Sequence, residues 1–176
     1  MERVIGGLEK KTVMTPEERK TIAYHESGHA VAGWFFEHSN PLLKITIIPR
    51  SKGSLGFAQY LPDEISLYSR EQITDMISVA LAGRVAEELM FDGRVTTGAA
   101  DDIKKVTQLA TGLVTVYGMS KSMGLVGYNS AQEEASVKPY SEKTSAALDQ
   151  EVRAVVQECY ARTRDVLQEK RHLIEA

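Results

Sequence analysis

The sequence predicts an α+β fold, predominantly helical, with a small β-sheet and a C-terminal helical segment. Three observations carry this reading. Four segments show helix caps or apolar positions at helical spacing. Two short β-branched or aromatic runs lie between Pro and Gly breaks and read as strands. No internal repeat or low-complexity tract points to another architecture.

Residues 1–14, with a Gly6-Gly7 break and the basic pair Lys10-Lys11, read as an arm or linker leading in from another domain, with a frayed terminus as the other reading. The first helix starts sharply: Thr15 is the N-cap, Pro16 takes the first helical position, and Glu18 completes a capping box. It is expected to run to about His38, where Asn40-Pro41 stops it. Residues 43–48 form the first strand, a Lys52-Gly53-Ser54 turn follows, and residues 55–60 form the second. Ser69 and Gln72 make another capping box, opening a helix in which Ile73, Ile77, Leu81, Val85 and Leu89 recur every fourth residue. Asp92-Gly93 and Gly98 punctuate a loop. Ile103, Val106, Ala110, Leu113, Val114 and Tyr117 then mark a third helix ending at Gly118. The polar stretch 130–139 reads as mobile, and a last helix begins near Ser141 with Leu148, Val152, Val155, Tyr160 and Val166 on its apolar face.

The chain has 176 residues, enough for one domain burying about 70% of its unfolded surface. It is 43% hydrophobic and 26% charged with a net charge of -3, a balance that argues against disorder and against nucleic acid as a partner. No apolar run approaches the roughly 20 residues needed to span a bilayer. The single cysteine, Cys159, excludes an intramolecular disulfide and a Cys-rich metal framework, and favours a reducing compartment. A metal site must therefore use His and carboxylates. The first residues lack signal-peptide features, and helical periodicity continues to Ala176, so truncation is expected at both ends.

Within the first helix stands His25-Glu26-Ser27-Gly28-His29, an HExxH motif. Side chains four apart share a helical face, so both imidazoles can bind one metal ion while Glu26 points toward its remaining positions. Two neutral histidines and a carboxylate leave an open position on Zn²⁺, whose bound water drops to a pKa of about 7. Glu26 then takes the proton as general base and delivers it to the leaving amine. The motif arises by chance in about 1% of such sequences, so its setting on an independently capped helix decides in its favour. His38 and His172 read as dipole partners at helix ends.

The third ligand separates classes of zincin. HExxHxxGxxH would need Gly and His where Ala32 and Phe35 stand, so a carboxylate from a later helix remains, from Glu87-Glu88 or Asp101-Asp102. Asp101 shares its face with Lys104, Lys105 and Gln108, whereas Asp102 shares its face with Val106, Leu109 and Leu113 and points inward. A carboxylate on a buried face must be paired or bound to a metal; a structural carboxylate at a helix start is the other reading of Asp102. Glu87 follows Ala80 and Gly83, a small-residue stripe that allows approach of the helix carrying Gly28 and Ala32. It reads as a carboxylate orienting a ligand imidazole, with direct ligation as the rival; Glu88 reads as structural.

Four segments, His25 to Ala30, Ile47-Ile48-Pro49-Arg50, Gly83-Arg84-Val85-Ala86-Glu87-Glu88 and Thr97-Gly98-Ala99-Ala100-Asp101-Asp102, together resemble the peptidase domain of the FtsH family of membrane-bound AAA zinc metalloproteases. Residues 2–11 and 55–62 look most like its mitochondrial m-AAA branch, the AFG3-like and paraplegin subunits. Ser27 replaces the Ala usual in the motif, a small polar change that leaves the site undisturbed. The resemblance implies that His25, His29 and Asp102 hold Zn²⁺ and that Glu26 is the catalytic base. It implies a metallopeptidase domain over 15–176, joined through the linker 1–14 to a missing ATPase domain, where alone ATP would bind. It further implies a homo- or hetero-hexamer that receives unfolded polypeptide, degrading misfolded or unassembled proteins and processing selected precursors. Membrane anchoring would lie in missing N-terminal segments, on the matrix face of the mitochondrial inner membrane, with a bacterial or plastid relative as the alternative placement. The strand 55–60 would lie at the active-site cleft, where substrate adds by β-augmentation. A non-proteolytic ring subunit is the rival reading, and the intact Glu26 beside both histidines argues against it.

Overall fold

A computed structural model describes residues 14–48, 56–61, 66–128 and 140–176. The expected arm, the 52–54 turn and the polar stretch 130–139 lie outside the described residues, save Met14 at the arm's end. In chain order the elements are α1 (Pro16–Phe35), β1 (Leu42–Thr46), β2 (Phe57–Tyr60), α2 (Arg70–Met90), a 3-10 turn (Thr97–Ala99), α3 (Ala100–Thr115), α4 (Glu142–Glu169) and α5 (Arg171–Glu175). None of these helices is long and apolar enough to cross a membrane.

Local chemistry sets the helix starts. Thr15 Oγ1 accepts from the Glu18 amide at 3.2 Å while Glu18 accepts from the Thr15 amide at 2.8 Å, and Ser69 with Gln72 repeats the exchange at α2. Ser141 caps α4 through the Thr144 amide.

Tertiary packing sets the ends. α1 stops at Phe35, three residues before the expected His38, because Phe36 turns into extended backbone and buries its ring in a core that includes Leu167 and Ile174. His38 thus lies outside the helix, and its amide donates to Asp75. α3 ends at Thr115, ahead of Gly118, whose φ of 60° is the left-handed conformation that favours glycine. Ile103 and Tyr117, expected on its apolar face, are exposed. The continuous last helix of the sequence reading is broken at Lys170, so that α5 folds Ile174 back into the core beside Leu167.

α2 is the central element and separates two cores. Ile73, Ile77 and Leu81 pack with Val106, Ala110, Leu113 and Val114 of α3 and with Leu148, Val155 and Cys159 of α4. Ala82, Val85 and Ala86 pack with Val31, Ala32 and Phe36 and with Leu167 and Ile174. The α1–α2 crossing is close because Gly28 has no side chain. A Cβ there would lie 2.5 Å from Ala86 Cβ and 2.6 Å from the Ala82 carbonyl oxygen. Ala80, read as part of that contact, instead lies in the α3/α4 core. Because one obstacle is backbone, Gly28→Ala is expected to destabilise the protein by about 1–3 kcal/mol, read as a lower urea midpoint at unchanged slope. An unchanged midpoint would mean that the helices part freely at this point.

The sheet is a two-stranded antiparallel pair with Leu42 opposite Tyr60 and Thr46 opposite Phe57. The register slips between Leu42 and Lys44, leaving Leu43 as a bulge. Pairing ends at Thr46 because β2 begins only at Phe57, so the expected strand loses Ile47 and Ile48. β2 rests on α1: the Tyr60 hydroxyl donates to the His29 carbonyl at 3.3 Å, and its ring lies over Gly33.

Candidate metal centre

α1 carries three buried side chains here, His25 and His29 against α2 and Glu26 against the entry to β2. The 3-10 turn and α3 bring Asp102 to the same place, half-buried, while Asp101 stays exposed. Three donor atoms converge. His25 Nε2 lies 3.2 Å from His29 Nε2 and 3.2 Å from Asp102 Oδ2, and His29 Nε2 lies 3.5 Å from the same oxygen. A tetrahedral ion bonded at about 2.0–2.1 Å holds its donors about 3.3 Å apart, so the three atoms form one face of such a shell.

The outer nitrogens fix the tautomers. His29 Nδ1 is 2.8 Å from the Val79 carbonyl oxygen, which can only accept, and His25 Nδ1 is 2.8 Å from Glu87 Oε1. Both Nδ1 atoms must therefore carry hydrogen, leaving a lone pair on each inward Nε2 of a neutral imidazole. Two lone pairs and a carboxylate oxygen at these distances repel one another unless a cation lies between them. Where no metal is bound, a proton on His25 meets that demand: burial opposes its charged form, but the hydrogen bonds to Asp102 and Glu87 prevail and raise its pKa to about 9, and a metal ion would displace that proton. Asp102 answers it. Burial works against its ionised form, and contacts with His25 and His29 outweigh that to hold the carboxyl well below the usual carboxylate range.

Glu87 is 1% exposed and lies on the outer side of His25, away from the converging atoms. Its second oxygen accepts from the Thr96 amide at 2.7 Å, so one carboxylate holds both an imidazole and the segment leading to Asp102. Despite its burial, these bonds lower its pKa. Glu88, beyond it, accepts from the Tyr160 hydroxyl at 2.5 Å and ties α2 to α4. Glu87→Gln is expected to weaken metal binding about 10- to 100-fold in a chelator competition. Affinity unchanged by that substitution would remove Glu87 from the support of the site.

Glu26 is buried, and its carboxyl pKa is raised: burial contributes most, the two imidazoles pull it back, and the Asp102 charge adds to the rise. Gly83 is the residue whose part in the site sequence reasoning missed, reading it only as a helix-approach position. A Cβ there would run into His25 Nε2, at 2.5 Å from His25 Cε1 and 2.6 Å from His29 Nε2. The signal was a glycine inside a helix, where it is about 1 kcal/mol worse than Ala.

The fold and this donor set define a zinc metallopeptidase domain of the HExxH kind, built on helices. The chain belongs to peptidase family M41, which matches residues 12–176. It is 53% identical over 178 residues to the mitochondrial inner membrane m-AAA protease component AFG3L2 of Mus musculus, covering 99% of this chain and 22% of that protein. It is 50% identical over 175 residues to the ATP-dependent zinc metalloprotease FTSH 10, mitochondrial, of Arabidopsis thaliana, covering 99% and 21%. It is 48% identical over 180 residues to the ATP-dependent zinc metalloprotease FtsH 1 of Salinibacter ruber, covering 99% and 26%. The chain thus spans about a quarter or less of the length of these relatives.

Proposed function

We propose that this chain is the proteolytic unit of an ATP-dependent zinc endopeptidase acting on unfolded or unassembled proteins, with His25, His29 and Asp102 as metal ligands and Glu26 as general base. The observation that carries the reading is the convergence of two Nε2 lone pairs and one Asp102 oxygen, with both Nδ1 hydrogens already engaged. His25, His29 and Asp102 would hold Zn²⁺, which would supply Lewis acidity toward a peptide carbonyl and lower the pKa of a water to about 7. Glu26 receives the proton of the attacking water on its carboxylate and returns it to the departing amine. Glu87 and the Val79 carbonyl keep the imidazoles turned with Nε2 inward.

The two-stranded sheet leaves each strand an open edge among the described residues, and β2 lies against the helix of Glu26. An extended substrate adding to such an edge would bring its peptide bonds along the site. The relatives, an m-AAA protease component and two ATP-dependent zinc metalloproteases, support the wider assignment. In it, residues 15–176 are the metallopeptidase domain, residues 1–14 lead in from an ATPase domain, and the subunits form a homo- or hetero-hexamer. ATP binding and the membrane anchor belong to segments outside this sequence, and the working location is the matrix face of the mitochondrial inner membrane. In the full-length protein, chelation is expected to stop cleavage of an unfolded substrate and zinc to restore it, while Asp102→Ala lowers zinc from about one per chain to near zero. Cleavage that survives complete removal of zinc would sink the assignment.

A further inference from the structure

Gly56 stands at the entry to β2, and the atoms it faces are those of Glu26. A Cβ built on Gly56 would run into Glu26 Oε1 and lie 2.8 Å from both Cδ and Cγ. Its φ is outside the left-handed region, so conformational freedom is not what requires glycine there. Room for the carboxylate is. Alternation along the strand puts Gly56, Ala58 and Tyr60 on one face, and Tyr60 is bonded to the His29 carbonyl. Glu26, His29 and Gly33 form the matching face of α1. β2 is held along one edge by β1, with Ile45 opposite Ala58. The strand is therefore fixed at its far end and along one edge, and the movable partner in any crowding at residue 56 is the end of the Glu26 side chain.

We propose that Gly56 is a positioning residue for Glu26: bare backbone at the start of β2 forms the wall that sets where the general-base carboxylate rests. The proposal rests on the reading of Glu26 as base. A side chain at 56 displaces the carboxylate while leaving the ligands in place, since Gly83, not Gly56, faces the imidazoles. A misplacement of about 1 Å can cost about 10²-fold in rate.

The test uses the full-length, zinc-loaded protein and four forms: unmodified, Gly56→Ala, Glu26→Ala and the double variant. Gly56→Ala is expected to keep about one zinc per chain and to lose about 10²-fold in kcat for an unfolded substrate. The temperature at which zinc is released should fall by about 2–4 °C on Gly56→Ala when Glu26 is present. It should not fall when Glu26→Ala has removed the obstructing atoms. If Gly56→Ala alone does not fold, folding of the double variant supports the proposal and its failure to fold overturns it. Loss of zinc, an undiminished kcat, or an equal fall in both backgrounds also overturns it. A Glu26→Gln protein run alongside separates the two ideas: full activity there removes the general base, whereas the zinc-release cycle still reads the steric contact.

Discussion

Gly83→Ala is expected to yield a folded protein that no longer retains zinc. The added methyl falls among the inward atoms of both imidazoles, at 2.5 Å from His25 Cε1 and 2.6 Å from His29 Nε2. A Cβ atom essentially never comes within 3.0 Å of a non-bonded heavy atom. Neither ring can turn away without loss, because Glu87 holds the Nδ1 of one and the Val79 carbonyl the Nδ1 of the other. Breaking either bond leaves a buried polar group without its partner, at about 1–3 kcal/mol. The backbone of α2, by contrast, welcomes the change, since Ala is better than Gly in a helix interior by about 0.8–1 kcal/mol. Helix content and elution volume should therefore hold while zinc per chain drops from about one to near zero, with activity at least 10²-fold lower. Full zinc occupancy in this variant would show that the imidazoles have room that the present geometry denies them.

Gly83 also shows what the sequence could and could not reveal. Helix starts were legible because Thr15 with Glu18 and Ser69 with Gln72 exchange hydrogen bonds within four residues, and no distant contact overrides them. The two aspartates were separable because helical spacing alone puts Asp101 with lysines and Asp102 with Val106 and Leu113. The end of α1 was not legible: Phe36 leaves the helix for a core completed by Leu167 and Ile174, far along the chain. Nor was the partner of His29, since any residue can offer the carbonyl that Val79 supplies. The break at Lys170 has the same origin, with periodicity in α4 continuing smoothly while burial of Ile174 decides the turn.

Glu26→Gln is expected to lower kcat by about 10²- to 10⁴-fold with zinc still at about one per chain. Gln has nearly the shape of Glu, so it fits beside Gly56 without new crowding. It cannot accept the proton. The three residues that could hold the metal are His25, His29 and Asp102, and Glu26 is not among them. Removing its charge therefore alters proton transfer and leaves the cation's ligands intact. The bonds that orient the two rings, from His25 Nδ1 to Glu87 and from His29 Nδ1 to the Val79 carbonyl, do not involve Glu26 and remain. Elemental analysis and single-turnover cleavage on the same preparation read the two quantities independently. Zinc lost together with activity would make Glu26 a support of the metal rather than a base. Activity retained with zinc in place would show that a group other than Glu26 carries the proton.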